Sequence, residues 1–305
     1  MIALDSGFLR GSYPPVITPF GEDGSVDHAT YERLVDFQIR EGSHGIVVNG
    51  TSAEPSVLTL AERKALLETA VAAAGGRVPV VAATGSQSFA ETAELTEHAG
   101  TAGADALLIV TPYYIRPPQR GLTAYYSELA KRSALPMLMY HIPGRAAVSV
   151  TVETLEAIAD AVPHFVGIKH ASFELTLVTE ALSRLGPEFR IFVGLEELSF
   201  PMLAIGACGM VNAVSNIAPR PVAQLYEAVA RGDLAAARQA HFDLFALNQA
   251  VFFDTNPIAI KYMARRLGLI AGNHHRLPLM PAAPEVEARL DAVLAGAGLL
   301  EGADA

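Results

Sequence analysis

A lysine that ends an apolar, strand-type run is the residue of this chain best suited to covalent chemistry. In FVGIKHAS, residues 165–172, Lys169 closes a stretch whose side chains belong in a protein interior. Burial disfavours an ammonium relative to a free amine, and an uncharged amine can attack a carbonyl carbon to form a Schiff base. Tyr140 ends the preceding apolar run, LPMLMY, and a phenol beside such an amine can move protons during imine formation. Arg145 follows in YHIPGR, where a Pro-Gly turn would aim its fork of donors at a carboxylate. The turn NGTSAE (49–54) offers small residues and backbone N–H groups ahead of a helix, a natural cradle for an anion. Each feature taken singly has a plain explanation as a solvated lysine, a packed tyrosine, an idle loop arginine or an ordinary turn. Their convergence depends on the fold.

Apolar β-type runs alternate with helical-period segments along most of the chain. The runs are 14–20, 45–50, 78–85, 104–114, 135–144, 165–170, 190–196 and 208–216, each followed by a segment of helical pattern. The strand segments are continuously apolar instead of alternating, as parallel strands covered on both faces should be. Eight such units predict an α/β fold, a (β/α)8 TIM barrel, over about residues 12–231. Three amphipathic segments after it predict a C-terminal three-helix extension over 232–300. Barrels of this kind carry their chemistry at the C-terminal ends of the strands. There the sequence places Asn49 to Ser52, Thr84, Thr111 to Tyr114, Tyr140, Arg145, Lys169, Gly194, Glu196 and Asn212 to Ser215.

The totals narrow the partners. A formal net charge of -10 in 305 residues repels polyanions, so nucleic acid is not an expected partner. Cys208 is the only cysteine, which excludes internal disulfides and cysteine-rich zinc sites, and a reducing, cytoplasmic setting fits. The nine histidines show no zinc-type spacing, and the adjacent pair His274-His275 reads as loop surface; no metal is expected. No dinucleotide-binding or Walker glycine pattern follows any strand, and there is no nucleophile elbow. The N-terminal residues do not read as a leader and no apolar stretch is long enough for a membrane span, so no membrane association is expected.

The motifs VITPF (16–20), GTSAE (50–54), VTPYY (110–114), YHIPGR (140–145), GIK (167–169), GACGMVNAVSN (206–216), TNPIAIK (255–261) and RLPLMP (276–281) come in an order that resembles one family over nearly the whole chain. It is the dihydrodipicolinate synthase and N-acetylneuraminate lyase superfamily of pyruvate-dependent class I aldolases. The resemblance implies that Lys169 forms a Schiff base with pyruvate and that Tyr140 relays protons through Ser52 to Tyr114 of a neighbouring subunit. It implies that the Thr51 and Ser52 N–H groups hold the pyruvate carboxylate, with the Val211 carbonyl and Gly194 beside the bound substrate. No cofactor is needed, because lysine is itself the electron sink. A tyrosine shared between subunits implies an oligomer, a homotetramer in this family.

Arg145 resembles the arginine that in the synthase branch grips the carboxylate of aspartate-4-semialdehyde. Condensation of that aldehyde with pyruvate, a step towards diaminopimelate and lysine, is the leading expectation. Three departures from the synthase pattern, Ala53 for glycine, His141 for asparagine and His170 for an acidic residue, motivate the alternative of a catabolic aldolase or hydratase-aldolase on another 2-keto acid. A non-catalytic barrel that senses a keto acid is a third reading, opposed by the retention of Lys169, Tyr140, Tyr114 and a hydroxyl at Ser52. Leu60 and Arg63 stand where lysine-inhibited relatives carry histidines or acidic residues, so weak or absent lysine inhibition is expected.

Overall fold

The structure, a computed structural model, describes residues 1–300. Eight parallel strands, β1 (Gly11–Ser12), β2 (Ile46–Val48), β3 (Val80–Ala83), β4 (Ala106–Val110), β5 (Met137–His141), β6 (Phe165–His170), β7 (Arg190–Val193) and β8 (Gly209–Met210), pair in the order β1-β8-β7-β6-β5-β4-β3-β2. A parallel bridge between Pro15 and Val47 joins the two ends of that order, so the sheet curls into an α/β TIM barrel. Around it run α1 (His28–Arg40), α2 (Leu60–Ala74), α3 (Phe89–Ala102), α4 (Gln119–Leu129), the single turn α5 (Pro143–Ala146), α6 (Val152–Ala161), α7 (Leu175–Leu185), α8 (Ser199–Ala204) and α9 (Pro219–Ala230). The chain continues through α10 (Leu234–Ala250), which packs on α9, and through α11 (Ile258–Arg266), which packs on α12 (Pro284–Gly296).

Local sequence explains most boundaries. Helix α2 begins in a capping box, with Thr59 accepting from the Glu62 N–H and Glu62 reaching back to Thr59, and it stops at Gly75 in the left-handed region. The first strand departs from expectation. The sequence predicts a strand over 14–20, yet pairing is concentrated at Gly11–Ser12 with one bridge at Pro15, because Pro14, Pro15 and Pro19 have no N–H to donate to a ladder. The last strand is also shorter than residues 208–216. Beyond Met210 the Asn216 side chain takes over the cross-linking: its Oδ1 accepts from the Ile17 N–H at 3.1 Å and its Nδ2 donates to the Pro15 carbonyl at 3.0 Å.

Two apolar clusters divide the barrel wall. One contains Leu108, Leu138, Tyr140, Val166, Phe192 and Val211 and no helix residue, so it fills the inside; the other contains Leu107, Met139, Ile168 and Val193 with side chains from the helices, and lies outside the wall. In β4 and β5 the two faces alternate strictly, as a pleated strand requires. Strand β6 does not follow suit. Phe165 and Ile168 both face the helices although three positions apart, and the β5–β6 register advances by one between Met137–Phe165 and Leu138–Gly167, which leaves Val166 as an extra residue. Such a bulge reverses the side-chain parity beyond it. Gly167 permits the turn of the chain, since a Cβ there would lie 2.0 Å from the Arg190 carbonyl oxygen. Strict alternation from Phe165 would send Lys169 outwards; the bulge turns it inwards, paired in register with Tyr140.

Candidate active site

Lys169 and Tyr140 meet at the end of the barrel where strands β5 and β6 stop. Lys169 is buried, and its Nζ lies 4.1 Å from the centre of the Tyr140 ring. The Tyr140 hydroxyl is 3.4 Å from Thr51 Oγ1. Thr51 and Ser52 open a 3₁₀ turn, Thr51–Ala53, closed by the Ala53 and Glu54 N–H groups on the Gly50 and Thr51 carbonyls. The Thr51 and Ser52 N–H groups precede the first carbonyl such a turn could offer, so they are left for another acceptor.

A small cavity of about 50 Å³ is lined by Thr51, Ser52, Tyr140, Arg145, Lys169, Gly194, Glu196, Val211, Phe252 and Asn256 among others. It adjoins a wider one of about 750 Å³ through Thr51, Tyr140, Ile142, Arg145 and Asn256. Lys169 lines only the small cavity, which makes it the reactive floor and the wide cavity its approach. Gly194 belongs to that floor for a steric reason: a Cβ there would lie 2.9 Å from Lys169 Cε and 2.8 Å from the Ala171 Cβ.

The structure brings Lys169, Tyr140, Thr51, Ser52, Arg145, Gly194 and Val211 to one cavity. It does not bring Tyr114 there: this residue has φ 74° and a side chain 85% exposed, away from its own chain's Lys169 cavity. Within the described chain, the Tyr140 hydroxyl pairs with Thr51 and the Ser52 hydroxyl pairs with the Asn256 amide, 3.1 Å from its Nδ2, instead of forming the expected Tyr140–Ser52 link.

Two residues at the floor have no role in the sequence reading. Asn256 holds Ser52 through its side chain and accepts from Arg145 Nη2 at 3.4 Å through its carbonyl, so it ties the turn to the arginine. Its signal was the TNP of the TNPIAIK motif. Glu196 is 2% exposed; its Oε1 accepts from the Ala213 N–H at 2.5 Å while its Oε2 has no partner. Burial raises its pKa, and the nearby Lys169 works against that rise.

A buried ionic network fixes the turn from behind. Glu54, held at φ 58°, accepts from Lys261 Nζ at 2.7 Å and pairs with His275 Nδ1 at 3.3 Å. Burial lowers the Lys261 pKa and Glu54 opposes the shift. His275, expected on a loop surface, has a fully buried side chain, because Glu54 needs a second partner. Among the described residues no group of three His, Cys, Asp or Glu side chains is placed to hold a metal ion. Cys208 is buried and its thiol is pushed up to about 12 by burial, which leaves it inert.

A profile of the dihydrodipicolinate synthetase family matches residues 8–297. The chain belongs to that family. It is 41% identical over 293 residues to a 4-hydroxy-tetrahydrodipicolinate synthase of Thermus thermophilus, covering 96% of this chain and 97% of that one. Among solved structures it is similar to dihydrodipicolinate synthase from Aquifex aeolicus, with a TM-score of 0.93, 36% identity and coverage of 95% and 98%. It is also similar to the enzyme from Cyanidioschyzon merolae solved with lysine bound, with a TM-score of 0.93, 33% identity and coverage of 96% and 99%. For this family, the three departures from the synthase pattern fall in uninformative places. Ala53, His141 and His170 line neither cavity. His141 and His170 follow the inward-facing Tyr140 and Lys169 by one residue and so lie on the outer face of the wall.

Proposed function

We propose that this protein is a 4-hydroxy-tetrahydrodipicolinate synthase, condensing pyruvate with aspartate-4-semialdehyde. The observation that carries the reading is Lys169 Nζ held over the Tyr140 ring in a cavity that Arg145 also lines. The Lys169 amine adds to the ketone carbon of pyruvate, and loss of water leaves an iminium. The Thr51 and Ser52 N–H groups hold the carboxylate, and Gly194 and the Val211 carbonyl bound the site. Loss of a methyl proton gives an enamine, and its carbon attacks the aldehyde, whose oxygen takes up a proton. The aldehyde acid's own amine then displaces Lys169 and closes the ring. Tyr140 moves the protons, and Arg145 grips the second carboxylate.

Tyr114 completes the site from a neighbouring subunit of a homotetramer, a role that suits a strained, exposed tyrosine. The barrel over 12–231 carries Lys169, Tyr140 and Arg145, and the helical appendage over 232–300 reaches the same site through Phe252 and Asn256 and is tied behind it through Glu54 and Lys261. The protein works in the cytoplasm and needs no cofactor.

Lysine inhibits weakly or not at all. Arg63 puts a guanidinium into the wall of the wide cavity, bonded to the Ala83 and Gly85 carbonyls, where it opposes an incoming ammonium. A micromolar inhibition constant for lysine would overturn this. The catabolic alternative loses its motive, since the departures that suggested it touch neither cavity.

Two measurements test the reading. Borohydride with pyruvate should leave a reduced adduct on Lys169, detected by peptide mass, and Lys169→Ala should abolish it. Turnover of aspartate-4-semialdehyde, coupled to a reductase that consumes the cyclic product, should reach a kcat/KM above roughly 10⁴ M⁻¹s⁻¹. Trapping on Lys169 with turnover orders of magnitude lower would move the second substrate to another aldehyde. Absence of the adduct would refute Schiff-base chemistry altogether.

A further inference from the structure

The two histidines behind the wall form a hydrogen-bonded chain with a fixed direction. His141 and His170 pair in register at the ends of β5 and β6 and are 1% and 0% exposed. Their rings stack at 5.1 Å, with the two Nδ1 atoms 3.1 Å apart. The Val150 N–H donates to His141 Nε2 at 3.4 Å, which makes that nitrogen an acceptor and puts the His141 proton on Nδ1. His141 Nδ1–H therefore donates to His170 Nδ1, and the His170 proton sits on Nε2, from which it donates to the Glu174 carbonyl at 3.1 Å. Every ring nitrogen has one partner and one role, and both rings are neutral.

The ends of this chain matter more than its middle. Val150 closes the segment after β5 that carries Arg145, and Glu174 caps α7 beyond the strand that carries Lys169. We infer that His141 and His170 are positioning residues that clamp the Arg145 segment to the Lys169 strand, fixing the distance between the group that grips the second substrate and the amine that activates the first. The inference rests on the proposed function and deepens it. Burial pushes both imidazoles down, His141 to about 3, so the neutral chain persists across any ordinary assay pH. Neither ring lines a cavity, so neither acts on substrate directly.

The clamp makes a prediction that separates the two half-reactions. His170→Leu leaves the His141 Nδ1–H buried without an acceptor, whereas His170→Asn returns an oxygen near the position of Nδ1. Imine trapping of pyruvate by borohydride should stay within about twofold of wild type in both variants, while KM for aspartate-4-semialdehyde should rise roughly fivefold or more in His170→Leu, the weight of one lost hydrogen bond. His170→Asn should recover most of that rise. An unchanged KM in His170→Leu would overturn the clamp, and so would trapping that falls in step with KM, which would mark a general core defect. The wild-type protein gives an independent reading: ¹⁵N imidazole NMR should find His141 as the Nδ1–H tautomer and His170 as the Nε2–H tautomer. Two Nε2–H rings would show that no such chain exists. A wild-type protein that traps no pyruvate would instead refute the proposed function, with the tautomers still deciding whether the chain is there.

Discussion

One added methyl group at Gly194 tests how tightly the floor of the site is built. The Gly194 N–H bonds to the His170 carbonyl at 2.8 Å, and its φ lies outside the left-handed region, so alanine brings no backbone strain. Its effect is contact alone. The new Cβ would stand 2.8 Å from the Ala171 Cβ, 2.9 Å from Lys169 Cε and 3.2 Å from the His170 carbonyl oxygen. Carbon atoms rest at about 3.5–4.0 Å, so both contacts must open, by roughly 0.6–1.2 Å. Ala171 is held by its N–H on the His141 carbonyl at 2.9 Å, and the carbonyl of His170 is committed to the ladder, so the backbone beside Ala171 gives only a few tenths of an ångström, at a cost in stability, and the flexible lysine arm takes the larger displacement. Overpacking of this kind costs about 1–3 kcal/mol, offset by about 0.4–1 kcal/mol from the stiffer unfolded chain. The melting temperature should fall by only a few degrees. Imine formation should suffer far more, because a reacting group displaced by about 1 Å loses on the order of 100-fold in rate. Quenched-flow borohydride trapping with intact-mass detection reads the imine rate, and a thermal melt followed by circular dichroism reads stability. Wild-type trapping by Gly194→Ala would refute the reasoning, since it would mean that Lys169 reaches pyruvate from a different rotamer.

Arg145→Leu should leave pyruvate trapping on Lys169 intact and raise KM for aspartate-4-semialdehyde about tenfold or more, the loss of a charge-assisted bond in coupled turnover assays. Glu196→Gln keeps an oxygen for the Ala213 N–H but removes a proton site beside Lys169, so the acid limb of the trapping rate should change shape; an identical pH profile would show that Glu196 plays no part. The hydrogen bonds from Arg276 hold the Glu62 pKa at about 2, below its ordinary 4.5. A depressed carboxyl stabilises the fold fully above its unfolded value and loses that contribution as pH falls through the folded one. Arg276→Met should therefore cost about 1–2 kcal/mol more in urea melts at pH 7 than near pH 2, after allowance for partial solvent screening, on top of a pH-independent loss from its bonds to the Gly24 and Val57 carbonyls.

The barrel was legible because its strands are buried on both faces and appear as apolar runs, while the mouth followed from reading which residues end each run. What stayed hidden depends on contacts that no local pattern carries. Nothing in FVGIK marks Val166 as the extra residue of a bulge, yet that bulge decides whether Lys169 faces the cavity or the helices. Position at a strand end was a sound guide to Lys169, but the parity that delivers it comes from Gly167 meeting the Arg190 carbonyl, a neighbour on another strand. Asn256 and His275 stayed hidden for a related reason. Each lies over 200 residues from the turn it supports, and only the folded chain shows Ser52 and Glu54 waiting for them.

His141 and His170 show how a substitution beside a reactive residue can mislead. Adjacent in sequence to Tyr140 and Lys169, they read as changes to the substrate site. Adjacency along a strand places them on the opposite face, one residue and half a pleat away. Their chemistry also explains why they occur together. A neutral imidazole offers one donor and one acceptor, so His141 can use the Val150 N–H only by presenting its own proton to a partner with a free lone pair. His170 supplies that lone pair because its other nitrogen is occupied in donating to the Glu174 carbonyl. Replacing either ring by a hydrocarbon strands a buried polar group in the other, at a cost of about 1–3 kcal/mol. The two positions are thus one structural decision about how the strand ends are tied, and they leave the inner face, where Lys169, Tyr140 and Arg145 meet, free to keep its chemistry.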